Sequence, residues 1–222
     1  MHPWSRPEEP VELRTQRATL TRAFVKEHRT TGKTPSCEWP RVKKADGELV
    51  TMQKLLSEHT GQHCSYCDSL MGYSSRDTID HFLPKSRFPC LAYVWSNLYL
   101  CCDGCQRKGV RYDKQALRPD EPGNSFSRYF RYRSDGQICV IAADETDRER
   151  AEITLRVLDL NDAELVKDRS RAFRQHSKQR MRPLPPGLTD GRAARLWFEA
   201  LSPKAAFDDK PFRDFYVQDD ET

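Results

Sequence analysis

The residues with the plainest chemistry in this sequence are two Cys-x-x-Cys pairs. Cys64 and Cys67 form the first pair, and Cys102 and Cys105 form the second. Four thiolates can surround a zinc ion as a tetrahedron, and a two-residue gap lets each pair supply two ligands from one tight turn. The spacing therefore predicts a structural zinc site, since four cysteines leave no open coordination position for catalysis. The alternative is a set of ordinary buried or redox-active cysteines.

Between the two pairs, an aspartate and a histidine lie side by side in the stretch "TIDHFLPKS". Hydrolysis of a phosphodiester needs a base and a cation: a histidine can deprotonate water near neutral pH, and an aspartate oxygen suits magnesium. Alternation along a strand would send Asp80 and His81 to opposite faces, so they share a site only if the strand ends or twists there. Pro84, shortly afterwards, favours such an ending. The alternative is an ordinary surface hydrogen bond between the two side chains.

The composition describes a chain of ordinary size with almost balanced charge. Its 222 residues suffice for one domain with appendages. The 37 Lys and Arg residues exceed the 33 Asp and Glu residues by a net charge of only +4, which alone is too small to indicate a nucleic-acid partner. Basic and aromatic residues are interleaved between residues 85 and 133, as a phosphate backbone with bases beside it would require, although a solvated face over an ordinary core has the same pattern. The candidate phosphate contacts are Lys85, Arg87, Arg107, Lys108 and Arg111.

Two features of the chain bear on its cellular compartment. No apolar run approaches the roughly 18 residues of a membrane span, and the first residues, "MHPWSRPEEP", lack the apolar centre of a signal peptide. The sequence therefore predicts a cytoplasmic protein without a membrane partner. In a reducing cytosol, paired Cys-x-x-Cys spacings favour metal binding over disulfides. The other four cysteines are expected to be small buried apolar groups: Cys37, Cys90, Cys101 and Cys139.

Periodicity and breaker residues predict a mixture of helices and short strands, which places the chain in the α+β class. After an extended arm over residues 1–10, helices are predicted at Val11–His28 and Glu48–Thr60. Two strands, "TIDHF" and "NLYLC", follow with a proline-containing loop between them, and a weaker helix is predicted over Gln106–Leu117. The dipeptide Asp135-Gly136 predicts a hairpin turn. Further helices are predicted at Asp147–Leu158, Asp162–Met181 and Asp190–Leu201.

Several motifs of this chain resemble those of one nuclease family. "CSYC", "IDHFLPKS", "NLYL" and "CDGC", in this order, resemble the ββα-metal signature of HNH endonucleases with a four-cysteine zinc knuckle. "EWP", "GQHCSYC", "HFLPKSRFP", "VWSNLYLCC" and "LRVLDLND" are similar to one branch, the PtuB-like HNH component of Septu and retron-associated anti-phage systems. The resemblance is close over Gln62–Lys108 and loose over most of the remaining chain.

The resemblance implies a fold and a set of residue roles. Residues 61–118 would form a ββα-metal (HNH) core with its zinc knuckle, between an N-terminal arm with helices (residues 1–60) and a β-hairpin with C-terminal helices (residues 119–222). His81 would be the general base, Asp80 a ligand of a catalytic Mg²⁺ or another divalent ion, and Asn97 would orient His81. Gln106 occupies the third signature position, which is usually Asn or His. Its amide also offers an oxygen to the metal, but on a longer and more mobile side chain.

The same resemblance implies an activity and partners. The expected activity is hydrolysis of DNA, or of a structured RNA such as tRNA, to products with 5′ phosphates. The expected partner is an ABC-type ATPase, docked by the N-terminal arm or by the helices after Asp147, with Trp197 and Phe198 as apolar anchors. A retron reverse transcriptase and its msDNA are further candidate partners. The alternative is a zinc-knuckle nucleic-acid-binding or scaffolding subunit without catalysis, and Gln106 is the residue that favours it.

Overall fold

The described residues of the chain fold into helices and three small two-stranded sheets, which confirms the predicted α+β class. The computed structural model describes residues 4–71 and 78–180, with side chains described as far as residue 174. These residues fall into two compact units, the first made of residues 4–129 and 140–160 and the second of residues 130–139 and 161–180. Within the described ranges, no helix is long and apolar enough to cross a membrane.

The first unit begins with an arm and a long helix. Helix α1 spans Val11–Thr31 and ends at Gly32, whose left-handed φ of 67° is typical of a glycine that terminates a helix. The prediction of a helix from Val11 is confirmed. Residues 4–10, before this helix, have no regular secondary structure. They pack against the rest of the unit, because Trp4 is buried and the Trp95 Nε1–H donates to the Pro7 carbonyl at 2.9 Å.

A small hairpin precedes the second helix. Strand β1 (Val42–Lys43) pairs with strand β2 (Leu49–Val50), and helix α2 follows at Met52–His59. The prediction of a helix from Glu48 was therefore wrong at its start. Asp46 and Gly47 form the turn of the hairpin, with the Asp46 carboxylate accepting the amide of Glu48 at 2.9 Å and Gly47 at a φ of 88°.

The centre of the first unit is an antiparallel hairpin of two four-residue strands. Strand β3 (Thr78–His81) pairs with strand β4 (Leu98–Cys101), so that Asp80 lies opposite Tyr99 and His81 opposite Leu98. This confirms the two predicted strands. The loop between them contains short 3₁₀ turns at Pro89–Leu91 and Trp95–Asn97.

A single helical turn follows the hairpin where a longer helix was expected. Helix α3 spans only Asp103–Gln106, and the prediction of a helix over Gln106–Leu117 was wrong. The chain turns away through Gly109, whose φ of 58° is left-handed and incompatible with continuing an α-helix. The first unit is completed by the short helix α4 (Phe126–Tyr129) and by helix α5 (Glu145–Leu158), which buries Ala151, Ile153, Thr154, Val157 and Leu158 and confirms the helix predicted there.

The second unit contains most of the predicted hairpin and the helix after it. Strands β5 (Phe130–Tyr132) and β6 (Ile138–Val140) flank the Asp135-Gly136 turn, as predicted, and helix α6 spans Ala163–Arg180. Asn161 ties the two parts together, because its side chain accepts the amide of Ile138 at 2.8 Å and donates to the Ile138 carbonyl at 2.9 Å. The helix predicted at Asp190–Leu201, with Trp197 and Phe198, lies outside the described residues.

Gly136 packs directly on α6, and this generates a stability prediction. Its φ is 90°, and an added Cβ would overlap the Val166 carbonyl oxygen and lie 2.7 Å from the Ser170 amide nitrogen. Gly136→Ala should therefore destabilise the second unit by about 2 kcal/mol or more, because a strained φ and a backbone clash add together. Urea unfolding measures the loss.

Gly123→Ala is the matched control for this change. Gly123 also has a positive φ, 77°, but a Cβ there meets nothing within 4 Å. It should cost only the conformational strain of about 1–2 kcal/mol. Equal losses for the two variants would contradict the packing of Gly136 against α6.

Candidate functional site

The four cysteines of the two Cys-x-x-Cys pairs form one cluster. Their sulfur atoms all lie within 4.8 Å of one another, and all four residues are buried. The Cys67 and Cys102 sulfurs are 3.6 Å apart, close to the roughly 3.8 Å that separates two sulfurs on a tetrahedral zinc ion with Zn–S bonds of about 2.3 Å. Cys64, Cys67, Cys102 and Cys105 can therefore bind a metal ion such as zinc, as their spacing predicts.

Local backbone geometry brings these thiols together. The first pair sits on a tight turn that closes through the Asp68 amide, which donates to the Cys64 carbonyl at 3.1 Å, and through the positive φ of Asp68. The second pair opens α3, where the Cys105 amide donates to the Cys102 sulfur at 3.4 Å. Amide donors of this kind stabilise thiolates, which are the metal-binding form of cysteine.

The four remaining cysteines do not behave alike. Cys101 is buried, which confirms its predicted role as a small apolar group, and Cys37 and Cys139 are half-buried. The prediction was wrong for Cys90, which is exposed because it lies in the surface loop between β3 and β4.

Asp80, His81 and Gln106 line one open pocket of about 410 Å³, with Lys85 and Thr34 also in its wall. Strict alternation would have separated Asp80 from His81. Strand β3 ends at His81, and this ending allows both residues to reach the pocket. Three of the four residues predicted to be catalytic are therefore brought to one place.

The His81 ring is held in one orientation. Its Nε2 lies 2.8 Å from the Ala92 carbonyl oxygen, and Trp39 stacks on the ring with centroids 6.1 Å apart. A carbonyl can only accept, so Nε2 carries the proton and Nδ1 carries the free lone pair. Burial lowers the pKa of His81 to about 4, so the ring is neutral at physiological pH and Nδ1 is able to accept a proton.

The Asp80 carboxylate already has two donors. Its Oδ2 accepts a hydrogen bond from the Tyr66 hydroxyl at 2.8 Å and forms an ion pair with the Lys108 ammonium at 2.9 Å. Burial raises the pKa of Asp80, while Lys108 and Tyr66 act in the opposite direction. Tyr66 was missed by sequence reasoning, although its position inside the first Cys-x-x-Cys pair could have suggested a contact with the strand beside it.

Lys108 is placed differently from a surface phosphate contact. The residue is only 2% exposed, and its ammonium donates to the His81 carbonyl at 3.0 Å as well as pairing with Asp80. The tight turn after α3 directs this side chain inward. Lys108 therefore lies in the interior behind Asp80 and is not among the residues that line the pocket.

Asn97 is buried and bonds to the loop after β3. Its side-chain oxygen accepts the Leu83 amide at 2.8 Å, and its side-chain nitrogen donates to the carbonyls of Leu83 and Leu91 at 3.0 and 3.2 Å. These bonds go to backbone groups. Direct orientation of His81 would require a bond from the Asn97 amide to the His81 ring, and these three bonds do not provide it. Leu91 precedes Ala92, whose carbonyl holds His81, so Asn97 acts on the ring through the loop.

The other predicted phosphate contacts lie at or outside the pocket. The half-buried Lys85 lines the wall, and its ammonium donates to the Pro35 carbonyl at 3.2 Å. Arg87, Arg107 and Arg111 are exposed and are not among the lining residues. Arg87 lies over the Tyr112 ring at 5.4 Å, and Arg111 pairs with Asp159 at 3.1 Å.

Asp80 and Gln106 are the predicted magnesium ligands. Magnesium commonly takes one or two protein oxygens and fills the remaining positions with water and substrate phosphate. Asp80 is the one carboxylate among the described lining residues, and the exposed Gln106 offers an amide oxygen at the same pocket. This donor set fits a water-rich magnesium site, provided that the ion shares Asp80 with Lys108.

The fold and the site together define an α+β chain in which a four-cysteine cluster closes a hairpin that presents an aspartate and a histidine to one pocket. The sequence is 29% identical over 131 residues to the Septu protein PtuB of Bacillus thuringiensis. That match covers 56% of this chain and 45% of the relative, so the chain corresponds to less than half of the relative's length. No protein-family model matches the sequence.

Zinc binding by the cluster is tested by removing one ligand. Cys102→Ser should abolish stoichiometric zinc binding and unfold the hairpin, since structural zinc sites contribute about 10–16 kcal/mol of apparent binding free energy to folding. Metal analysis of the purified protein and circular dichroism measure the two effects. Cys90→Ser, which changes an exposed cysteine, should retain zinc and fold. A Cys102→Ser protein that keeps its zinc would contradict the assignment.

The role of Asn97 is tested by truncating its side chain. Asn97→Ala should destabilise the protein by about 2–4 kcal/mol, because three backbone groups of a partly buried loop lose their partner. Asn124→Ala, which removes one hydrogen bond, to the Arg118 carbonyl, should cost about 1 kcal/mol. Chemical denaturation of both variants gives the comparison, and equal losses would show that the loop does not depend on Asn97.

Proposed function

We propose that this chain is an HNH-type endonuclease that hydrolyses phosphodiester bonds and acts in anti-phage defence. The observation that carries the proposal is the convergence of Asp80, His81 and Gln106 on one pocket beside the four-cysteine cluster. The similarity to a Septu protein supports the defence role. In this proposal the zinc at the cysteines is structural and the chemistry takes place at the pocket.

His81 is the general base of the proposed reaction. Its Nδ1 accepts a proton from water, and the Nε2–H bond to Ala92 keeps that lone pair directed away from the carbonyl. General base catalysis of this kind contributes about a hundred- to ten-thousand-fold in rate. Asp80 and Gln106 would hold a magnesium ion, which would supply neutralisation of the charge on the transferring phosphate and on the departing 3′ oxygen.

The basic residues position the substrate in this proposal. Lys85 contacts the phosphate at the reaction centre, and the exposed Arg87, Arg107 and Arg111 contact phosphates along the chain of the nucleic acid. Such contacts fix register and orientation without reading bases. Duplex DNA is the proposed substrate and a structured RNA such as tRNA is the alternative. The products carry 5′ phosphates, as the HNH resemblance implies.

Control by an ABC-type ATPase is part of the proposal. Residues 4–10 pack on the first unit through Trp4 and Pro7, so the arm does not offer these groups to a partner. The chain after Asp147 is then the proposed docking region, and a retron reverse transcriptase with its msDNA is a further proposed partner. Co-purification with a candidate ABC-type ATPase tests the contact, and separate elution would exclude it.

A scaffolding subunit without catalysis is the second candidate function. Asp80 already pairs with Lys108 and Tyr66, and Gln106 is exposed at the end of a one-turn helix, which favours a site that no longer holds a metal. In this case the cysteines would be needed and His81 would not.

The two candidates differ in the effect of removing His81. For an endonuclease, His81→Ala should lower magnesium-dependent cleavage of plasmid DNA or total tRNA by about a hundredfold or more, because the base is lost. Gel analysis of purified protein, with and without the ATPase, measures this rate. His59→Ala, at an exposed position of α2, should cleave normally. Cleavage that persists in His81→Ala would exclude His81 as the base. Absence of cleavage by both the unaltered protein and His81→Ala, with the ATPase present, would leave the scaffolding function.

A further inference from the structure

Lys108 is a buried cation directly behind Asp80, which lines the proposed active site. Its side chain is 1% exposed, and its ammonium lies 2.9 Å from Asp80 Oδ2 and 3.0 Å from the His81 carbonyl oxygen. The backbone fixes this placement, since the Lys108 amide donates to the Cys105 carbonyl at 3.1 Å and its carbonyl accepts the Arg111 amide at the same distance. The four-cysteine cluster thus anchors the turn after Cys105, and this turn directs the Lys108 ammonium at Asp80.

The Lys108 ammonium neutralises the Asp80 carboxylate, whose negative charge a metal ion in the pocket would need. Asp80 Oδ2 accepts from Tyr66 and from Lys108, so the carboxylate and the ammonium already cancel in charge. A divalent ion that binds Asp80 would lie within a few ångströms of this second cation. Repulsion between like charges is strong at such distances in a partly buried site.

We infer that Lys108 is a positioning residue that keeps the free pocket from holding a divalent ion tightly, so that the ion and a phosphodiester bind together. The inference rests on the proposed function and deepens it. A phosphodiester brings the negative charge that Asp80 alone does not provide once Lys108 has neutralised it. By thermodynamic linkage, the ion then strengthens phosphodiester binding by the same factor as the phosphodiester strengthens ion binding.

An ordinary structural ion pair makes a different prediction. If Lys108 only stabilised the fold, removing its charge would lower stability and leave the affinity for divalent ions unchanged or weaker. If Lys108 opposes ion binding, removing its charge must raise that affinity. Ion affinity therefore separates the two roles without any measurement of cleavage.

The experiment measures Mn²⁺ binding to the zinc-loaded full chain by electron paramagnetic resonance. Lys108→Met and Lys108→Gln should bind Mn²⁺ at least about tenfold more tightly than the unaltered protein, because a cation beside the carboxylate is removed. The glutamine keeps hydrogen-bond donors for Asp80 and the His81 carbonyl, so it supports the fold where methionine leaves them unpaired. Lys108→Arg, which keeps the charge, and Lys114→Met, which removes an exposed charge, should leave the affinity unchanged.

A second substitution locates the effect. Asp80→Asn, added to Lys108→Gln, should abolish the gain, because the carboxylate that binds the ion is lost. A gain that persists in the double variant would place the ion elsewhere and overturn the inference. Unchanged or weaker Mn²⁺ binding by folded Lys108→Gln would also overturn it.

The unaltered protein provides a test that needs no Lys108 variant. Addition of dimethyl phosphate, the simplest phosphodiester, should raise its Mn²⁺ affinity at least about threefold beyond what the phosphate binds in solution, since bound anion and ion are coupled. No increase would overturn the inference. Because none of these readouts uses cleavage, an inactive protein that shows the Mn²⁺ effects would refute the nuclease proposal and leave the role of Lys108 intact.

Discussion

The closure of the four-cysteine cluster is the constraint on which the first unit depends. Strands β3 and β4 pair over only four residues each, and an isolated two-stranded hairpin is marginally stable in water. The cluster fastens the turn at Cys64 and Cys67 to the start of α3, and the Ser65 amide adds a bond to the Leu100 carbonyl at 2.9 Å. A bound zinc ion would hold this hairpin from outside its own pairing, and the frame of the pocket would then depend on that ion.

That constraint reaches the pocket through a side chain of the cysteine turn itself. Tyr66 is buried between the two cysteines of the first pair, packs on Tyr99 with ring centroids 5.7 Å apart, and donates its hydroxyl to Asp80. Burial, followed by the charge of Asp80, raises the pKa of Tyr66 well above its ordinary range, so the hydroxyl stays protonated and donates. Lys108 approaches the same carboxylate from the turn after the second pair. Each Cys-x-x-Cys pair thus places a neighbouring donor, Tyr66 or Lys108, on the Oδ2 atom of Asp80. These two contacts fix the position of the Asp80 carboxylate within a short strand.

Sequence patterns predicted those parts of the fold that depend on residues close together in the chain. The cysteine cluster, α1 and the two central strands were predictable because spacing and periodicity act over a few residues. The one-turn α3 was not, since a stretch with two lysines and two arginines also suits a longer helix, and the left-handed Gly109 prevents the chain from continuing as one. Lys108 was predicted to contact a substrate phosphate. A sequence shows that a residue is charged but not whether a buried partner such as Asp80 lies beside it. Asn97 was predicted to orient His81 through its side-chain amide, yet the bonds of that amide run to the loop, a distinction that depends on tertiary geometry.

The charges around the pocket favour an anionic ligand over a bare cation. Lys108 neutralises Asp80 from the interior, His81 is neutral because burial lowers its pKa to about 4, and Lys85 remains as a positive group in the wall. A phosphate entering the pocket therefore meets the attraction of Lys85, while a divalent ion entering alone meets that ammonium and a carboxylate whose charge Lys108 compensates from behind. Arg87, Arg107 and Arg111 lie outside the lining, where a polyanion longer than one phosphate would continue. In the proposed function, the electrostatics that weaken binding of a lone ion are the same electrostatics that would favour a nucleic-acid backbone, because both follow from placing Lys108 behind Asp80.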